Sequence, residues 1–163
     1  MQVNGDQSSL RNHRERLEAL GIELPSPPMP LGHYVETSLV GNLLFTSGIL
    51  PVVDGKLMFT GRLGADLTIE QGREATRYAA LKALAAVSHF LGDVNRIRKV
   101  VRLGIALVTT EDFTQHAGVA DGASDLFAQI FGDEQGHTRL VTGVYSLPVQ
   151  TPVVLDTIFE IVG

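Results

Sequence analysis

The segment Arg96–Thr109, RIRKVVRLGIALVT, most constrains how this chain folds. It reads as one long strand, rich in β-branched and apolar residues. Alternation puts Leu103, Ile105 and Leu107 on one face. It puts Val100, Gly104, Ala106 and Val108 on the other, with Arg102 among them. A strand apolar on both faces needs cover on both. Helices can take the large-residue face. The small-residue face calls for a second sheet or another subunit.

The flanking segments supply those helices. Residues 8–20 read as a short helix with Leu10, Leu17 and Leu20 inward, capped by Ser8 or Ser9. LPSPPMP, residues 24–30, holds four prolines and is an extended connector. HYVETSLV and LLFTSGILPVV read as strands joined by Gly41-Asn42. Asp54-Gly55 signals a hairpin returning through 56–60. Thr68 with Gln71 forms a capping box opening a helix over Ile69–Leu91. Ala75, Ala79, Ala83, Ala86 and Phe90 recur along its inner face, and Gly92 ends it. Residues 111–131 read as another helix, begun by Asp112 and weakened by Gly118 and Gly122. Two apolar runs, 140–147 and 153–162, close the chain as a terminal strand pair with prolines between them. The order predicts an α+β fold, helices on one face of a mixed sheet. Residues 1–31 form a helix and connector, and 32–163 the domain.

At 163 residues the chain suits one core. The net charge of −5, without a basic block, gives no electrostatic footprint for nucleic acid. With no cysteine, thiolate chemistry and disulfides are excluded. No run is apolar and long enough to span a membrane, and the first residues lack a signal-peptide core. A cytoplasmic location is the expectation. The five histidines are scattered without metal-binding spacing, so no metal and no cofactor are expected. Gly-x-Ser-x-Gly and phosphate-binding loops are absent. Asp121 and Asp125, one helical turn apart, read as a mildly repelling solvated pair.

Arg139 is the remaining candidate. It heads the run ending at Pro148 and shares a face with Val141, Gly143 and Tyr145, Gly143 leaving room beside it. A fork-shaped cation there suits a carboxylate or other anion, although a salt bridge or strand-end surface charge is the commoner role for a lone arginine.

In combination these segments resemble the reactive intermediate deaminase (Rid, YjgF-type) family. GHYVETS, LLFTSGILPV, the helix from Ile69, VVRLGIALVTTEDF, LFAQIFG and then Arg139, eight residues, Pro148 and a last apolar strand follow the family's order. The resemblance implies a chorismate-mutase-like fold assembled as a homotrimer with clefts between subunits. It also implies hydrolysis of 2-imino or 2-enamino acids to 2-keto acids and ammonia, Arg139 binding the carboxylate. Tyr34, Ser47, Gly48, Ile49, Ser124, Val141 and Val154 take the family's cleft positions. Val154 stands where deaminating members usually carry a glutamate that orients water. Asp156, roughly 6.5–7 Å along the strand, does not replace it. The alternative expectation is therefore a trimer that binds a small carboxylate or keto acid without turnover.

Overall fold

The computed structural model describes residues 12–163. Helix α1, His13–Ala19, is capped by Asn12, whose side chain accepts from the Glu15 amide. The expected caps Ser8 and Ser9 lie outside the described residues. Hairpin strands β1 (Thr37–Val40) and β2 (Leu43–Thr46) turn at Gly41-Asn42. Strands β3 (Val52–Val53) and β4 (Lys56–Leu57) form the small second hairpin. Its corner has positive φ at both Asp54 (49°) and Gly55 (78°), the turn that matches strand twist.

Helix α2 spans Ile69–Leu91, with the Thr68/Gln71 capping box complete and Gly92 left-handed at φ 77°. Its alanines Ala75, Ala79 and Ala83 are fully buried, so neighbouring backbones approach closely. Phe90 departs from the expected stripe: it is exposed, and Leu91 closes the core instead. Strand β5 covers Ile97–Val108 and helix α3 His116–Phe131. Helix α3 begins five residues later than expected. Glu111-Asp112 lies in a turn, and the N-cap is Gln115, without a side-chain cap bond.

The terminal strands β6 (Thr138–Val144) and β7 (Val153–Ile161) do not pair with each other. The sheet order is β1-β2-β7-β5-β6. Strand β5 lies between them, parallel to β6 and antiparallel to β7. The two-sided apolar character of β5 fits this inner position. The segment between β6 and β7 crosses over β5 rather than turning a hairpin.

Strict alternation also fails at two places in β5, the first between Ile97 and Lys99. The register with β7 shifts again between Val100 and Arg102. That bulge turns Val100 to the helix side, opposite Phe159, where it is 1% exposed. Beyond it the expected faces hold. Leu103, Ile105 and Leu107 join Leu44, Leu155 and Phe159 beneath α2 and α3. Leu17 of α1 completes this core. Among the described residues the opposite face, with Phe45, Ala106, Leu140, Val154 and Ile158, carries no helix. Leu140 there is 57% exposed.

Candidate functional site

Arg139 heads β6 on the helix side, opposite Leu103. Its Nη1 donates to Asp121 Oδ1 at 2.7 Å and to Ser124 Oγ at 3.0 Å. Asp121 and Ser124 sit three apart on α3, so one helical face supplies both. Ser124 Oγ also lies 3.0 Å from His137 Nε2. Burial and the Arg139 charge together hold the His137 pKa below its ordinary 6.5. The result is a chain of four polar side chains, Asp121–Arg139–Ser124–His137, beside a 270 Å³ cavity lined in part by Ser124 and His137.

Both charged bonds use Nη1. Among the described residues, Arg139 Nε and Nη2 take no hydrogen bond. The guanidinium is anchored at one corner, and its side chain is 24% exposed. Asp121 and Asp125 do not form the repelling pair expected: Asp121 pairs with Arg139, and Asp125 pairs with Arg73 of α2 at 2.8 Å. The room expected beside Gly143 is filled. A Cβ there would meet His116 Nε2 at 2.6 Å and Thr109 Oγ1 at 2.8 Å. Val141, two residues along from Arg139, packs half-buried against the core.

The other expected residues gather elsewhere. Ser47 donates through Oγ to the Val35 carbonyl at 2.6 Å and through its amide to Glu36 at 2.8 Å. These bonds fix the turn leaving β2, so Ile49 bridges Leu155. Gly48 lies on Val154, where an added Cβ would be 2.8 Å from Cγ1. Tyr34 Oη accepts from the Leu31 amide at 2.9 Å and lines two cavities, of 530 and 480 Å³. Val154 faces the helix-free side, opposite in direction to Arg139. By register it is three residues along and two strands across, about 14 Å of sheet. One chain therefore holds Arg139, Ser124 and Val141 in one group, and Tyr34, Ser47, Gly48, Ile49 and Val154 in another.

Asp156 does share a face with Val154, and it is committed to Arg102 at 3.3 Å. Its carboxylate lies against Gly104, where any Cβ would collide with Oδ1. The glycine in the small-residue face is thus the space this ion pair occupies. Among the described residues no group of three or more metal-ligating side chains gathers, and no helix is long and apolar enough to cross a membrane.

A five-stranded mixed sheet with helices on one face, and an anchored arginine on its edge strand, defines a chorismate-mutase-like α+β domain. Residues 14–160 match the family described as "YjgF/chorismate mutase-like, putative endoribonuclease". The chain belongs to that family. It is 39% identical over 146 residues to protein TCP17 of Trypanosoma cruzi, covering 89% of this chain and 91% of that protein. A Shewanella oneidensis crystal structure described as a "putative endoribonuclease" superposes with a TM-score of 0.87 at 36% identity. That match covers 91% of this chain and 99% of the other. A protein of unknown function from Agrobacterium tumefaciens gives 0.84 at 35% identity, covering 92% of each.

Proposed function

We propose that the protein is a homotrimer that captures small 2-imino, 2-enamino or 2-keto acids by their carboxylate at Arg139, and hydrolyses the imines slowly to 2-keto acids and ammonia. The observation that carries this reading is the anchored guanidinium. Asp121 and Ser124 hold Nη1, while the Nε–Nη2 edge is left for a second, bidentate partner. A planar fork fixed before binding sets the orientation of the acid at small entropic cost.

Two features support the trimer. The helix-free face exposes Leu140 and Phe45 and leaves Val154 and Ile158 half-buried. The cleft residues also fall into two groups, with Arg139 and Val154 on opposite faces of the sheet, which a second copy would reunite. The slow chemistry follows from Val154. No carboxylate occupies that position, and Asp156 is paired with Arg102. An absent general base typically costs about 10²–10⁴-fold in rate.

The same observation favours a second reading, binding without turnover. The deciding experiment generates an imine in situ with an amino-acid oxidase and follows keto-acid release. Release faster than in buffer, and lost in Arg139→Ala, supports the enzyme. Release at the buffer rate removes turnover and leaves the binding protein. A ribonuclease reading finds no support in the charge, which is −5 overall with no basic block.

A further inference from the structure

Away from Arg139 the fold builds a second site, a 480 Å³ cavity beneath the proline connector. Its walls are mainly apolar, among them Met29, Leu31, Ile49 and Leu57. Besides Tyr34, two ionisable side chains line it, Lys82 from α2 and Glu36 from the segment before β1. Lys82 is 8% exposed. Its Nζ donates to the Ser26 carbonyl at 2.8 Å, which ties the connector to α2. Among the described residues no ion pair joins it to a carboxylate within 4.0 Å. Glu36 Oε2 is buried without a hydrogen-bond partner. Val149, which lines the same cavity, holds φ at 51°. A β-branched residue rarely adopts that conformation, and such outliers cluster at ligand sites.

Burial disfavours the charged form of a lysine, and the neutral amine is the nucleophilic form. The geometry points to Lys82 as a covalent capture site for uncharged aliphatic aldehydes, with Glu36 as the proton donor and acceptor. Burial lowers the Lys82 pKa and raises that of Glu36, and for each the charge of the other opposes the shift. Both effects of burial favour the neutral pair that the chemistry requires.

The Nζ lone pair attacks the carbonyl carbon and a C–N bond forms. The proton leaving nitrogen goes to the former carbonyl oxygen, giving a carbinolamine. Glu36 then protonates that hydroxyl, the C–O bond breaks and water departs. The nitrogen lone pair closes the C=N bond, and the iminium proton returns to the Glu36 carboxylate. The uncharged class is set by the cavity itself. A substrate carboxylate would face Glu36, and no arginine lines these walls. The cavity shares Tyr34, Gly48 and Ile49 with the cleft residues named above, but the chemistry at Lys82 does not involve Arg139.

Hexanal with cyanoborohydride, followed by peptide mapping, tests it. The chain has three lysines, so Lys56 and Lys99 serve as internal references. Lys82 is expected to be alkylated severalfold faster than exposed Lys56, since burial favours its neutral amine. Glu36→Gln should slow Lys82 labelling, Arg139→Ala should leave it unchanged, and pyruvate should label it less than hexanal. Labelling of Lys82 no faster than Lys56 overturns the proposal, as does unchanged labelling in Glu36→Gln. Lys82→Met serves as the blank, and the test does not depend on its folding.

Discussion

Two glycines in helix α3 should respond in opposite directions to the same substitution. At Gly122, an added Cβ would collide with the Arg73 carbonyl oxygen and Thr76 Oγ1, and would lie 2.8 Å from the Arg73 carbonyl carbon. Those are largely backbone obstacles on α2, and no side-chain rotation removes them. Relief requires α3 to move off α2 by roughly 1 Å, given ordinary contacts of 3.5–4.0 Å. That strains the Thr76 Oγ1 bond to the Val119 carbonyl, now 2.8 Å. Overpacking costs about 1–3 kcal/mol and the hydrogen bond about 1 kcal/mol, while replacing glycine in a helix returns about 1 kcal/mol. Gly122→Ala should lose about 1–3 kcal/mol. At about 2–4 °C per kcal/mol, its melting temperature falls by about 2–12 °C. Gly118 has nothing within 4 Å of its added Cβ. Gly118→Ala gains the helix propensity alone, and its melting temperature rises by about 2–4 °C. Scanning calorimetry at one protein concentration reads both. Because α3 also carries Asp121 and Ser124, Gly122→Ala should weaken keto-acid binding as well. Shifts of the same sign in the two variants would refute the close α2–α3 contact on which this reasoning rests.

Val154→Glu restores a carboxylate where deaminating relatives are expected to carry one. It should raise imine hydrolysis by about 10²-fold or more in the oxidase-coupled assay, and an unchanged rate would argue against that placement. The depressed His137 pKa makes stability pH-dependent. The unfolded state binds the proton first, so stability is lost as pH falls below about 6.5 toward the lower folded value. The melting temperature of His137→Gln should fall less between pH 7.5 and pH 5 than that of the parent, and equal slopes would show that His137 does not carry the effect.

Much of the fold was legible because its signals are local. The Thr68/Gln71 box, the Asp54-Gly55 corner and Gly92 each act over a few residues, and each formed where the sequence placed it. Misreadings came from long-range pairing. The register of β5 with β7 carries a bulge at Val100 that alternation cannot show, and β5 separates two strands that look like a hairpin in sequence. The same limit applies to the candidate site. Arg139 was visible as a lone cation, but Asp121 was read against Asp125, its neighbour on the helix. Their real partners, Arg139 and Arg73, lie on other elements. The i,i+3 spacing of Asp121 and Ser124 was the available signal, and it needed a facing arginine to have meaning. Glu36 and Lys82 are 46 residues apart and share no motif, so only packing reveals them.

The central claim is that Arg139 holds the carboxylate of a small acid, and the melting temperature with and without 2-ketobutyrate tests it most directly. A ligand that binds the native state at about 100 times its Kd adds about 2.7 kcal/mol, which for a chain of this size raises the melting temperature by about 5–10 °C. The account predicts that rise in the parent protein and its loss in Arg139→Ala. A rise that persists in Arg139→Ala, or no rise in the parent at saturating acid, would contradict it.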